Sequence, residues 1–229
     1  MTLLIDIQYF PSITLYKKLY NLSSIVFEQY EAYQKSGFRN RCRIAGAQGV
    51  VGLSVPLWKG RGQKTLTRDV KISNRQPWAA RHWKTIMSCY SRSPWFDYYR
   101  ADLEALYHGG KYDRLLDWDL ACFEWSLRAL DLPVTVGLTD SWRLDYDPGE
   151  VVDWRGRLRH GGLDPGRLPA GGGPGGGSAA EIHDAAGEGR MAHRYRQVFE
   201  ERTGFIPNLS ILDLLFCEGK QAIRYIRSS

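Results

Sequence analysis

Leu3-Leu-Ile-Asp-Ile-Gln-Tyr-Phe-Pro-Ser-Ile-Thr-Leu-Tyr-Lys-Lys-Leu-Tyr-Asn-Leu-Ser-Ser-Ile-Val-Phe27 decides the fold class. Residues 3–7 are a short aliphatic run that Pro11 stops, which predicts a buried strand followed by a turn. Ser12 is placed to cap what comes next, and Leu15, Tyr16, Leu19 and Tyr20 then recur at helical spacing. Residues 23–27 return to strand character. Strand, helix and strand in that order predict a parallel pair with its crossover, and so an α/β protein.

Further along, residues 39–57 alternate around Gly46-Ala-Gln-Gly49, so Arg41-Cys-Arg-Ile-Ala45 and Val50-Val-Gly-Leu-Ser-Val-Pro56 read as the arms of a hairpin. Val70-Lys-Ile-Ser73 predicts another strand. Pro77 suits the first turn of a helix whose apolar stripe is Ala79, Trp83, Ile86, Met87 and Tyr90, ended by Pro94. Two more helices follow, over 95–107 and 113–130, and Val134-Thr-Val-Gly-Leu138 resumes strand character. At the end, Asn208 or Ser210 is expected to cap a final helix that Gly219 closes. The expectation is an N-terminal strand-helix-strand and hairpin forming a mixed sheet, then a helical segment, with a C-terminal helix packing back. Residues 161–189 hold eleven glycines and three prolines, a composition that buries too little apolar surface to order itself. They read as a flexible insert in a single domain made of residues 1–160 plus 190–229.

Charge is concentrated. Between Tyr33 and Arg100 there are fourteen Lys or Arg and two acids, 14 − 2 = +12, against a whole-chain charge of +6. Such clustering gathers anions, so the expected partner is an anionic small molecule such as a nucleotide-sugar, with nucleic acid as the alternative. In that alternative Tyr33, Phe38, Trp58, Trp78 and Trp83 would serve as stacking platforms. Cysteines 42, 89, 122 and 217 make no CxxC pair and no metal-finger spacing, which predicts free thiols and no metal site. No run approaches the roughly eighteen apolar residues of a membrane span, and the opening residues carry no basic leader. A cytoplasmic protein is expected. Walker A, GxGxxG, GxSxG and HExxH motifs are all absent.

Four blocks carry a resemblance: Gln8-Tyr-Phe-Pro-Ser-Ile13, Tyr33-Gln-Lys-Ser-Gly-Phe-Arg-Asn-Arg41, His82-Trp-Lys84 with Pro94-Trp-Phe-Asp-Tyr-Tyr99, and Ile206-Pro-Asn-Leu-Ser-Ile-Leu-Asp-Leu-Leu-Phe216. Together they resemble the WbqC-like protein family. The resemblance implies a bacterial protein of surface-polysaccharide (O-antigen type) biosynthesis. The activity it implies is transfer of an amino acid, glycine in particular, onto a sugar, with an activated amino-acid donor. One departure is that many members carry Gln-Pro before the Tyr-Phe-Pro element, whereas Gln8 runs directly into Tyr9.

Acylating a sugar amine requires a base, oxyanion donors and a cationic cradle for phosphates. His82, on a helix beside the apolar stripe, is the candidate base. Asp213 lies inside an aliphatic run, where a carboxylate needs a partner, and His82 or an arginine is the expected one. Arg39 and Arg41 would share one face of an extended chain and clamp a diphosphate, assisted by Lys35, Asn40 and Lys84, with Asn208 and Ser210 forming a second polar cluster. Cys42, between Arg41 and Arg43, has cationic neighbours that favour a thiolate, yet a strand cysteine more often packs as a small hydrophobe, and packing is the expectation.

Replacing residues 163–189 by a short polar linker should leave folding intact, because loop-closure cost changes slowly with length. Thermal unfolding checks this: the melting temperature should fall by less than about 5 °C.

Overall fold

Leu3, Leu4 and Ile5 are consecutive and all buried, as a strand in the middle of a sheet covered on both faces requires. They lie in β1 (Thr2–Asp6). The chain then forms α1 (Ile13–Leu19) and β2 (Ser24–Glu28), and β2 runs parallel to β1 with Leu3 opposite Ile25 and Ile5 opposite Phe27. The computed structural model describes residues 1–34, 37–58, 65–108, 112–159, 162–163 and 194–227.

The hairpin is present as β3 (Arg41–Gly46) and β4 (Gly49–Ser54), in a register that sets Arg41 against Ser54 and Arg43 against Gly52. Its two strands pair with each other and not with β1 or β2, so the hairpin stands as its own sheet instead of completing one mixed sheet. Residues 70–73 are not a strand either. A 3-10 turn (Thr67–Asp69) precedes them, and Lys71 and Ile72 make single bridges to Arg114 and Leu57. Each neighbour offers one residue, so no ladder propagates.

Three helices follow as the apolar spacing predicts: α2 (Trp78–Tyr90), α3 (Phe96–His108) and α4 (Leu115–Leu130). Then β5 (Thr135–Leu138) joins the outer side of β2, and β6 (Val151–Asp153), too short to announce itself in sequence, joins the free side of β1. The resulting parallel order is β5-β2-β1-β6. Consecutive strands step away from β1 in one direction and then return to its other side, the order found in one half of a doubly wound sheet. Ligands of such sheets lie outside the strand carboxyl ends where the direction reverses, here between β1 and β6.

The Gly- and Pro-rich stretch falls almost entirely outside the described residues; its Gly162–Leu163 pair as β8 with β7 (Leu158–Arg159). After a short α5 (Glu200–Thr203), α6 (Ile211–Glu218) starts at Ser210, whose hydroxyl accepts from Leu212 N, and ends at Gly219. A further helix, α7 (Ala222–Arg227), continues beyond the expected end. One hydrophobic cluster draws on β1, β2, the hairpin and α1 to α4 as well as α6 and α7, with Trp118, Tyr9, Tyr90, Phe96 and Phe216 among its largest side chains. Among the described residues, no helix is long and apolar enough to cross a membrane.

Gly219 closes α6 at φ 56°, and a Cβ built there would stand 2.2 Å from the Trp95 ring. Gly219→Ala should therefore lower stability by at least about 2 kcal/mol, from backbone strain and overpacking together, as read by chemical denaturation.

Candidate functional site

The carboxyl ends of the four parallel strands meet in a network of charged side chains. Asp6, at the end of β1, accepts the Gly156 amide through Oδ1 at 2.6 Å. Glu28, at the end of β2, accepts from Thr139 Oγ1 at 2.9 Å and Tyr30 N at 2.8 Å. Arg155, just past β6, pairs with Glu28 and Asp153 and donates to the Arg143 and Leu144 carbonyls. The rings of Trp142 and Tyr146 lie 4.6 and 5.3 Å from its guanidinium. Every strand end is thereby tied to a neighbour.

Arg39 sits in the same region, 3% exposed. Its Nε donates to Glu31 Oε1 at 2.9 Å and its Nη2 to the same oxygen, while Nη1 lies 3.5 Å from Asp6 Oδ2, near enough for charge pairing but without hydrogen-bond geometry. Burial pushes the Glu31 carboxyl up to about 7, against the pull of Arg39. Asp119, on the inward face of α4 with Cys122, is wholly buried; desolvation holds its carboxyl well above the usual range, opposed by the charge of Arg39. Among the described residues, both Asp119 oxygens and both amide atoms of the buried Gln8 lack a hydrogen-bond partner.

The predicted pair Arg39 and Arg41 does not share a face. Arg39 belongs to a turn and points inward, whereas Arg41 opens β3 and is exposed. The extended chain begins at Arg41, two residues later than the sequence reading placed it, and Arg41 and Arg43 are the residues that lie together on the outer side of the hairpin. There they flank Gly52 in a depression of about 350 Å³ lined also by Val50 and Ser54. A Cβ at Gly52 would meet nothing within 4 Å, so the floor is open. Asn40 joins this edge, donating to Val55 O at 2.9 Å and accepting from Tyr33 OH at 2.9 Å. Among the described residues neither Arg41 nor Arg43 has an ion pair. Lys84 is exposed on α2, and Lys35 lies outside the described residues.

His82 is buried, and its Nδ1 lies 3.0 Å from Tyr9 OH. Tyr9 OH in turn meets Tyr107 OH at 2.6 Å. Desolvation lowers the imidazole pKa to about 4, leaving it neutral at physiological pH. Asp213 contacts neither His82 nor an arginine. It accepts from Tyr90 OH at 2.7 Å, Tyr195 OH at 2.5 Å and Gln197 Nε2 at 3.0 Å, because those donors come from segments packed on α6. Burial raises its pKa and the three donors pull it back. Asn208 accepts from Thr14 Oγ1 at 2.6 Å and Ser210 Oγ donates to the Phe10 carbonyl, so both fasten the C-terminal segment to the start of α1. Cys42 is buried and desolvation pushes its thiol well up, which suits packing. All four cysteines are free, and no group of three or more His, Cys, Asp or Glu among the described residues is arranged to hold a metal ion.

Asp6, Gln8, Glu31, Asp119 and Arg155 are polar residues that the sequence reading left unassigned. Asp119 had a visible signal: it shares a helical face with Leu115, Cys122 and Ser126, all buried. Gln8 had another, as part of the Gln-Tyr-Phe-Pro block.

A model of the WbqC-like protein family matches residues 7–153, which contain Glu28, Glu31, Arg39, Asp119, the hairpin and His82; Asp6, Arg155 and the block ending at Phe216 lie outside it. No curated protein and no solved structure matches the chain.

The neutral His82 gives a pH signature. Its folded pKa, about 4, is below the 6.5 of the free side chain, so the unfolded chain takes up a proton first as pH falls. Stability should be undiminished above about pH 6.5 and drop by up to about 3 kcal/mol towards pH 4. Denaturation across that range checks it, and His82→Gln should flatten this component.

Proposed function

The chain belongs to the WbqC-like protein family, and from that premise we propose that it is a transferase of surface-polysaccharide biosynthesis, passing a glycyl or related amino-acyl group to the amine of a nucleotide-linked or phosphorylated sugar. Family membership is consistent with a role in polysaccharide biosynthesis. The observation that carries the substrate half of the reading is the pair of guanidiniums of Arg41, exposed, and Arg43, half-buried, which have no ion pair among the described residues and stand over the open floor at Gly52. Two such groups make charge-assisted bonds to one phosphate or diphosphate. The second half rests on the carboxyl-rich end of the sheet, chemistry suited to an amine.

In the reaction the acceptor nitrogen bonds to the acyl carbon of an activated amino-acid donor. The bond to the activating group breaks with its electron pair, and the nitrogen gives up a proton. His82 is neutral, the form a proton acceptor needs, but it is buried and its Nδ1 is engaged with Tyr9 OH. We therefore assign it the role of holding α2 against the segment that follows β1. The nucleic-acid reading is less well supported, since Phe38, Trp78 and Trp83 are buried in the core and unable to stack on bases.

Calorimetric titration with pyrophosphate and a nucleoside-diphosphate amino sugar tests the binding step. Arg41→Ala and Arg43→Ala should each weaken binding by at least about tenfold, as expected for losing one charge-assisted interaction. Arg39→Ala should instead destabilise the fold by about 3 to 5 kcal/mol, because it strands buried carboxylates. Transfer of labelled glycine to the amino sugar tests the chemistry. Unchanged binding by the Arg41/Arg43 double variant, or firm salt-dependent RNA binding without response to sugar nucleotides, overturns the reading.

A further inference from the structure

Fully buried polar atoms without partners are rare in folded proteins, because each forfeits the hydrogen bonds it made to water. Among the described residues, both amide atoms of Gln8, both carboxyl oxygens of Asp119 and Oδ2 of Asp6 are in that position, on side chains 0 to 1% exposed. The three are linked through Arg39 and through the ring contact of their chain neighbours. Asp6 pairs with Arg39, and the charge of Arg39 acts on Asp119. The ring of Tyr9, next to Gln8 in the chain, lies 5.8 Å from that of Trp118, next to Asp119.

We propose that Gln8, Asp119 and Asp6 form an interior site for a primary ammonium group with an oxygen on a nearby carbon, the chemistry shared by amino sugars and α-amino acids. With Asp119 ionised, as a neighbouring ammonium favours, the unpartnered set contains four acceptors (Asp119 Oδ1 and Oδ2, Asp6 Oδ2, Gln8 Oε1) and one donor, Gln8 Nε2. An ammonium brings three N–H donors and no acceptor, so it matches the surplus. The remaining donor then requires an oxygen on the same ligand, a hydroxyl or a carbonyl. Charge points the same way: Asp6, Glu31 and Asp119 are three carboxyls on which, among the described residues, the single guanidinium of Arg39 acts. A phosphate or carboxylate there would meet like charge, and a bare inorganic cation would leave Gln8 Nε2 unsatisfied. Since these atoms lie beneath the surface, the ligand reaches them by local opening, and association is slower than for a preformed cleft.

The inference rests on the reading that this chain handles an amine, and it names where the amine is held. The test is thermal stabilisation and calorimetry of the full chain with glucosamine, glycine and N-acetylglucosamine. Glucosamine or glycine should stabilise the protein and N-acetylglucosamine should not. A response to glucosamine alone identifies the acceptor, and a response to glycine alone identifies the amine of the amino-acid donor. Asp119→Asn and Gln8→Met should each weaken amine binding by at least about tenfold; Gln8→Met should leave the melting temperature equal to or above that of the parent, because it removes two unpartnered buried polar atoms, and Asp119→Asn should leave it near the parent's, because it exchanges one buried polar group for another of the same shape. If Asp119→Asn does not fold, Gln8→Met carries the comparison. Absence of any amine response, or amine binding in the variants as tight as in the parent, overturns the site. Pyrophosphate titration of the same preparations separates the two proposals. Pyrophosphate binding without amine binding refutes the interior site alone, and the reverse refutes only the anion site on the hairpin.

Discussion

A guanidinium buried between two carboxylates holds the sheet to the hairpin. Removing charges from water costs several kcal/mol per ion even after relaxation, so Arg39 is tolerated inside only with Asp6 and Glu31 in place. That requirement fixes three segments at once: the end of β1, the chain just past β2, and the turn that enters β3. Asn40, the next residue, is held by Tyr33 OH and the Val55 carbonyl, which sets the base of the hairpin on both strands. With Arg39 committed inward and Asn40 to the edge, strand alternation carries Arg41 and Arg43 outward. One buried ion pair thus decides which arginines are available to a ligand.

A second constraint joins the two ends of the chain. Ile13 N donates to Leu209 O, Ile211 N to Pro11 O, and Ser210 Oγ to Phe10 O, so the Tyr-Phe-Pro-Ser and Pro-Asn-Leu-Ser blocks, far apart in sequence, form one joint. Phe10 at φ 39° and Asn208 at φ 54° adopt left-handed conformations there. For a bulky residue such as Phe10 that conformation is costly and persists only where the surroundings over-determine it. The return on that strain is direction: immediately before Phe10, both Gln8 and Tyr9 are wholly buried, one in the polar region and the other against His82, Trp118 and Tyr107.

Much of this was legible in the sequence, and the failures have physical causes. β1, α1, β2 and the three long helices follow directly from aliphatic runs and helical spacing, which report burial. β6 was not, because three residues with intermediate exposure carry too little pattern, and its strand order follows from long-range pairing with β1. Residues 70–73 carried strand-like composition without a partner able to continue a ladder. At the site, Arg41 and Asn40 were identifiable from the density of cations. The inward turn of Arg39 was not, since it depends on Asp6 and Glu31 arriving from other elements. Asp213 was correctly seen to need partners, but its donors, Tyr90, Tyr195 and Gln197, are 123, 18 and 16 residues away, beyond what local pattern encodes.

Charge is therefore sorted by depth: on the outer hairpin face, cations without an ion pair among the described residues, and at the strand ends an excess of carboxyls. In the proposed reading, a substrate with both a phosphate and an ammonium finds a complement for each. The same arrangement distinguishes substrate from product, because acylation converts the ammonium to a neutral amide with a single N–H. The carboxyl-rich region then loses both the charge and most of the donors it was built to receive, while the phosphate contact is unchanged. Binding energy that depends on the amine is present before transfer and absent after it, so discrimination against the acylated sugar comes from buried groups left unpaired and not from steric exclusion. Sites that select by unpaired polar groups discriminate more sharply than apolar pockets do, and for a transferase that advantage falls on the step in which product must leave.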